Sequence, residues 1–363
     1  MKIVFQLNHP AHYHLFKNSV QILKEKGHEV RLLARRKDML EVLLKEENYS
    51  MISITKGKNF SEKLKNHSKA NAEILEYCKI FYPDLIIGTG AFGFVTRKLG
   101  IPSVFLGEDD LTLNFVLLTT GLFLYKDFTK ILAPAGVNNL IWNKKTTFYH
   151  GYQKLAYLHP NQFTPDKNVV EKYFPADKPY FILRFAKLNA YHDVNAKGIN
   201  TVIAQRIIEI LEKHGDVYIT SERDLEPQFE KCRLNINPLD IHHVMSYAKL
   251  YIGDSQSMAV EAAMLGVPSV RFNDFAGKIS VLEELEHKYG LTYGIKTDKP
   301  DQLYEKIEEL LAMPDLQEKF QLRRQSMLAD KIDVTAFFVW FIENYPESAR
   351  IMNENPDYQL RFK

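Results

Sequence analysis

Short apolar runs alternate with helical patterns along the first 150 residues of the chain. Residues 3–7 read as a strand, and Phe16, Val20 and Leu23 mark the inner face of a helix that ends at Gly27. Runs 30–34 and 51–54 read as further strands, with a helix across 39–44 between them and a long polar helix across 62–81 after them. Residues 83–88 form an apolar strand that stops at a Gly-rich turn, and 101–106 form another. The scheme repeats after a boundary near 151–160. Strands are predicted at 180–185, 217–220, 250–252 and 268–272, and helices at 199–214, 241–248, 257–265, 302–311 and 316–327. Strand and helix in alternation require crossovers, hence mainly parallel sheets. The pattern predicts an α/β chain with two Rossmann-like doubly wound domains, 1–152 and 153–331. A C-terminal segment, 332–363, carries the apolar run 334–342 and is expected to cross back onto the first domain. Doubly wound sheets bind ligands beyond the carboxyl ends of their strands, so two such domains are expected to face each other across a ligand-binding cleft.

A chain of 363 residues exceeds what one core usually serves, which agrees with two domains. Its 45% apolar and 25% charged residues are those of an ordinary globular protein. Net charge is only +2, so no bulk field recruits nucleic acid, and any anion site must be local. Cys78 and Cys232 lie far apart and form no C-x-x-C pair, which excludes a disulfide framework. The N-terminus runs straight into a strand without a secretory leader, and the expected location is cytoplasmic. Residues 111–125 carry no charge but are too few to span a bilayer. Length favours a buried helix there; the sharper reading is a patch that touches the inner face of a membrane carrying a lipid-linked acceptor.

The strongest chemical signal runs from Gly253 to Pro268. An apolar strand ends, Asp254, Ser255, Gln256 and Ser257 turn the chain, and a helix begins through Met258. The free N–H groups and positive dipole end of such a helix suit a diphosphate without a lysine. Ser255 and Ser257 can cap those donors. Glu261, four residues after Ser257, shares its helix face and can accept two hydrogen bonds from the vicinal hydroxyls of a ribose. A well-capped helix with a surface glutamate is the plain alternative. Asn8-His9-Pro10-Ala11-His12-Tyr13-His14 follows the first strand, and a histidine there can deprotonate an acceptor hydroxyl near neutral pH. The His9, His12 and His14 spacing lacks the helical geometry of a metal motif, so no metal is expected. Glu108, Asp109 and Asp110 follow strand 101–106. Arg184 ends the strand at 180–185, and Ser221-Glu222-Arg223 ends the next. An arginine at such a place can clamp a diphosphate; an ion pair with a nearby carboxylate is the alternative, more so for Arg223 than for Arg184. His192 lies in a Gly/Asn-rich loop that could close over a sugar. Asn273 and Asp274 could read sugar hydroxyls or cap a helix beginning near Gly277.

The run D-S-x-S-x-x-x-E-A-x-x-L-G-x-P resembles the nucleotide-binding turn of non-hydrolysing UDP-N-acetylglucosamine 2-epimerases, and is similar to the UDP-binding segment of the peptidoglycan-precursor N-acetylglucosaminyltransferase. In both families the turn holds the diphosphate and the glutamate matching Glu261 holds the ribose. Gln256 and Ser257 stand where the epimerases have two glycines. The stretches N-H-P-A-H-Y-H-L-F-K, G-Y-Q-K-L-A-Y-L-H-P, H-D-V-N-A-K-G-I and N-D-F-A-G-K-I-S-V-L-E-E-L-E-H-K-Y-G-L resemble an uncharacterised bacterial and archaeal family of glycosyltransferase-like proteins. The resemblance implies the glycosyltransferase-B (GT-B) fold. It also aligns His12 with the histidine closing a Gly-rich loop of the transferase, and Glu108 with a catalytic glutamate of the epimerases. The histidine-aspartate pair that precedes that glutamate in epimerases is replaced by Gly88-Thr89-Gly90.

These features predict a metal-independent glycosyltransferase without a cofactor. It would take a nucleotide-sugar, UDP-sugar first, as donor and a polysaccharide or lipid-linked acceptor. His12, then Glu108, would supply the base; Arg184, Ser221, Arg223, Asp254, Ser255, Ser257, Met258 and Glu261 would hold the donor; His9, His14, His192, Asn273 and Asp274 would line the sugar site. A sugar-nucleotide epimerase and a non-catalytic nucleotide-sugar-binding protein are the alternatives.

Overall fold

A computed structural model describes residues 1–35, 38–44, 49–52, 60–113, 115–175, 178–186 and 197–363. The chain divides into two compact units. Unit 1 comprises 1–157 with 332–363, and unit 2 comprises 158–331.

Unit 1 carries a seven-stranded parallel sheet built from β1 (Lys2–Leu7), β2 (Glu29–Arg35), β3 (Tyr49–Ile52), β4 (Leu85–Gly88), β5 (Ser103–Leu106), β6 (Lys130–Pro134) and β7 (Thr146–Tyr149), in the order β3-β2-β1-β4-β5-β6-β7. β1 and β4 are buried almost end to end because helices cover both faces of a doubly wound sheet. Helix Pro10–Glu25 buries Leu15, Phe16, Val20 and Leu23 and ends at Gly27, whose φ of 86° is open to glycine. Val4, Leu33, Ile86, Phe92, Phe128 and Ile131 form one hydrophobic cluster. Residues 332–363 join this unit through Ile332 N–H to His150 O (2.9 Å), Thr335 Oγ1 to Ala156 O (2.6 Å) and the His150 N–H to Gln359 Oε1 (2.6 Å).

Unit 2 has a five-stranded parallel sheet of β8 (Tyr180–Phe185), β9 (Asp216–Ser221), β10 (Leu250–Gly253), β11 (Ser269–Phe272) and β12 (Thr292–Ile295), ordered β12-β11-β10-β8-β9. Both sheets are open, parallel and doubly wound. β6, β7 and β12 add to the strands read from the sequence.

The expected burial of the uncharged stretch is corrected. Helix Phe115–Leu124 buries only Gly121, against Leu111, and leaves Phe115 and Phe123 76% and 69% exposed. Its sequence is apolar on every face, and one helix resting on a sheet can cover only one of them. Lys126 and Lys144 beside it are exposed, and Lys145 donates to the carbonyls of Tyr125 and Lys126 at its end. No helix among the described residues is long and apolar enough to cross a membrane.

Candidate functional site

Strand order reverses once in each sheet, between β1 and β4 in unit 1 and between β8 and β10 in unit 2. Helices leave toward opposite faces at such a point and open a crevice beyond the strand ends. Asp254 and Ser255 follow β10 at the unit 2 reversal, beside Arg184 near the end of β8.

Ser255 is the N-cap of helix Gln256–Leu265, with Oγ 3.5 Å from Met258 N, a long bond that holds the first turn loosely. Gly266 ends the helix in the left-handed region at φ 70°. Asp254 does a different job from the one the sequence suggested. Its buried carboxylate accepts the N–H of Ala186 at 2.6 Å and of Ile199 at 3.2 Å, and Asn273 Nδ2 donates to its carbonyl at 3.1 Å. Burial pushes the Asp254 carboxyl up to about 6, against the pull of those N–H groups and Arg223. Asp254 is therefore a latch between the ends of β8, β10 and β11.

Register aligns Gly294, Arg271, Gly253, Arg184 and Thr220 across the sheet. Tyr251 shares their face, two residues before Gly253, and its hydroxyl occupies the space Gly253 leaves: a Cβ there would lie 2.6 Å from it. That hydroxyl is fully buried, and the Ser255 side chain is its neighbour for a hydrogen bond. Burial drives the phenol well above its usual range, and Arg184, Asp254, Glu261 and Ser255 all act on it. A buried hydroxyl amid two arginines and a helix N-terminus suits a phosphate oxygen.

Arg184 donates to Thr220 Oγ1 at 2.8 Å and pairs with Glu222, while its Nε is buried without a partner. Arg223 donates to Ile199 O at 2.5 Å, lies 4.9 Å from the Phe185 ring centre, and is braced by a turn in which Ser221 Oγ accepts its N–H and donates to its carbonyl. The ion pair thus falls to Arg184 and the backbone contact to Arg223, the reverse of the sequence weighting. Asn273 Oδ1 accepts the N–H of Phe275 at 3.0 Å, and Asp274 accepts the N–H of Lys197 at 2.9 Å and the Thr297 hydroxyl. Neither caps the next helix, Ser280–Glu283, whose N-cap is Ile279. His192 lies outside the described residues. Glu261 is buried on the second turn, its Oε1 3.5 Å from Nε2 of His242 on helix Ile241–Ser246.

In unit 1 the reversal gathers Gln6, Asn8, His12 and Thr89. Gly90 leaves room there for the ends of the Gln6 and Asn8 side chains, which a Cβ would displace. His12 Nδ1 accepts the backbone N–H of Asn8 at 3.1 Å and lies 2.7 Å from Thr89 Oγ1. A backbone N–H can only donate, so the proton of the neutral ring is on Nε2. So placed, His12 presents a donor rather than a base. His9 caps its own helix by accepting the Ala11 N–H, and His14 packs against Tyr157 with ring centres 5.5 Å apart. Glu108 accepts the Gln153 N–H at 3.0 Å and pairs with Lys154 at 2.9 Å, which spends its carboxylate on the segment after β7. Among the described residues no group of three His, Cys, Asp or Glu side chains is placed to hold a metal.

Sequence reasoning missed Tyr251 and His242 and gave Thr89 no role. Period-2 spacing from Gly253 could have found Tyr251. Arg271 is fully buried against Glu286 at 2.7 Å, with Nε and Nη1 unpartnered. No local spacing reveals the His242 contact, which is made by packing of two helices.

Two outcomes follow. Ionised Asp254 is disfavoured in the folded state, so its contribution to stability grows as pH falls from 7.5 through about 6 toward the ordinary 3.8. Urea unfolding should show a pH-dependent difference of up to about 3 kcal/mol between wild type and Asp254→Asn; parallel pH profiles would refute the raised carboxyl. Tyr251→Phe removes the hydroxyl beside Ser255, so thermal unfolding without ligand should show a destabilisation of about 0.5–1.5 kcal/mol. Unchanged or raised stability would mean that the hydroxyl makes no such bond.

Comparison with solved structures supports the fold. The chain is similar to S. aureus MnaA, solved with UDP, at 14% identity, with 100% of this chain and 98% of that chain covered and a TM-score of 0.65. It is similar to UDP-GlcNAc 2-epimerase from Neisseria meningitidis, bound to UDP-GlcNAc, at 17% identity, 88% and 94% coverage and a TM-score of 0.61. Acinetobacter baumannii MurG matches at 17% identity, 94% and 99% coverage and a TM-score of 0.58. Both units are therefore Rossmann-like domains of the GT-B type. Curated proteins give no match. The model of DUF354, a protein family of unknown function, matches residues 1–283, and the chain belongs to that family.

Proposed function

We propose that this protein is a GT-B glycosyltransferase that binds a UDP-sugar in unit 2 and transfers the sugar to a polysaccharide or lipid-linked acceptor. The observation that carries the donor site is the set of groups at the start of helix Gln256–Leu265: the buried Arg184 Nε and the Arg271 Nε and Nη1 without partners, and the buried Tyr251 hydroxyl, with Glu261 one turn further along. The diphosphate would meet the first-turn N–H groups and the ribose would meet Glu261. Departing UDP carries its charge into a field set by the helix end and the Arg184 and Arg271 guanidinium groups, which supplies leaving-group stabilisation without a metal. Proteins of similar fold are solved with UDP and UDP-GlcNAc, which supports uridine as the nucleoside. Loss of the epimerase histidine-aspartate pair at Gly88-Thr89-Gly90 ranks transfer above C2 inversion.

A thermal-shift panel of nucleoside diphosphates and sugar nucleotides tests the donor site. UDP or a UDP-sugar should raise the melting temperature, and at a concentration 100 times Kd it should add about 2.7 kcal/mol. No shift with any uridine nucleotide would remove the proposal. Incubation with UDP-N-acetylglucosamine alone in deuterated water should leave C2 unexchanged; deuterium uptake would make the protein an epimerase.

For the acceptor we favour a lipid-linked chain. Helix Phe115–Leu124 exposes Phe115 and Phe123 beside Lys126 and Lys144, the composition of a surface that inserts shallowly among anionic headgroups. Vesicles rich in phosphatidylglycerol should co-sediment the wild type and release the Phe115→Ser/Phe123→Ser variant. Equal sedimentation of both would exclude this helix as the contact.

A further inference from the structure

His242 lies beneath the donor site and takes no part in the chemistry above. Its helix, Ile241–Ser246, is fixed to the sheet by Tyr180, whose hydroxyl donates to Val244 O at 2.6 Å, and is closed internally by Ser246 Oγ donating to His242 O at 2.7 Å. The Phe163 ring stands edge-on to the imidazole, with centres 6.2 Å apart and planes at 79°. These contacts leave the ring little freedom. Its Nε2 stands 3.5 Å from Glu261 Oε1, and the two side chains are only 5% and 9% exposed.

Glu261 is the one charged residue of helix Gln256–Leu265. A carboxylate so deeply placed has little water to solvate it, and the facing imidazole is an ion-pair partner within reach. A glutamate side chain has three torsions and costs considerable entropy to hold in one geometry. A carboxylate already fixed before a ligand arrives costs less to engage.

We propose that His242 is a positioning residue for the nucleotide: it holds the Glu261 carboxylate in the orientation that grips the ribose hydroxyls, and thereby sets preference for ribose over deoxyribose. The proposal rests on the donor-site reading. It places His242 one step from the ligand, acting through Glu261, and it assigns discrimination at the sugar of the nucleotide to a helix–helix contact rather than to the phosphate-binding turn.

The test is calorimetric titration of the full chain with UDP, 2′-deoxy-UDP and inorganic pyrophosphate, in wild type, His242→Gln, His242→Ala and Glu261→Gln. In wild type, loss of the 2′-hydroxyl should weaken binding about tenfold, the worth of one hydrogen bond to a charged group. In His242→Ala that penalty should shrink to below about threefold, with UDP itself about tenfold weaker and pyrophosphate unchanged. His242→Gln keeps a donor and should retain most of the penalty, which guards against a fold defect in the alanine variant. Combined with each histidine variant in turn, Glu261→Gln should abolish the difference between the two. If the 2′-deoxy penalty is the same in wild type and His242→Ala, the positioning role is overturned while the donor site stands. If wild type binds no UDP, the donor-site reading falls and this inference with it. Equal weakening of UDP and pyrophosphate in His242→Ala would reveal a merely structural histidine and also overturn the proposal.

Discussion

The geometry of unit 2 depends on one buried carboxylate. Asp254 takes the N–H of Ala186 and of Ile199 and, through its own carbonyl, the amide of Asn273. These contacts join the ends of three neighbouring strands where the strand order reverses. The reversal would open a crevice without any of them, but its two lips would be free to drift. Burial makes the ion costly, so at neutral pH the latch is held at some expense in stability, a pattern common where structure is organised for a ligand. The Asp254 carboxylate is spent on Ala186 and Ile199, and in the first turn of helix Gln256–Leu265 the Met258 N–H is held only by the long bond to Ser255 Oγ.

The two reversals are chemically unlike. In unit 2 the groups beyond the strand ends are cationic or donors: two arginines with unpartnered nitrogens, a buried phenol, and a helix N-terminus. In unit 1 the corresponding groups are neutral amides, a hydroxyl and an imidazole knit to one another. Such a set can recognise hydroxyls, and apart from the N-terminus of helix Pro10–Glu25 it has no positive charge with which to balance a phosphate. Glu108, the carboxylate nearest in sequence logic to catalysis, is neutralised by Lys154 and anchors the segment after β7. The proposal of a donor site in unit 2 rests on this electrostatic difference.

Periodicity made most of the architecture legible because strands such as 3–7 and 180–185 are continuous apolar runs between helical patterns. β6, β7 and β12 escaped because each is short and carries lysine, threonine, glycine or proline, which dilutes the contrast on which pattern reading depends. The uncharged helix Phe115–Leu124 was misjudged for the opposite reason: apolar composition signals burial only where a surface exists to cover every face. At the site, residues linked by chain order were readable, Ser255 as the cap and Glu261 one turn on. What each of them touches was not. Whether Arg184 meets Glu222, or Glu261 meets His242, is decided by strand order and helix packing, and no spacing along the chain encodes it.

A crystal structure of the protein grown with UDP is the most direct test of the account. The β-phosphate should lie within about 3.2 Å of a backbone nitrogen of residues 256–258, with a ribose hydroxyl at the same distance from Glu261. Density for UDP elsewhere, or a filled site in which the first turn of that helix makes no phosphate contact, would contradict it.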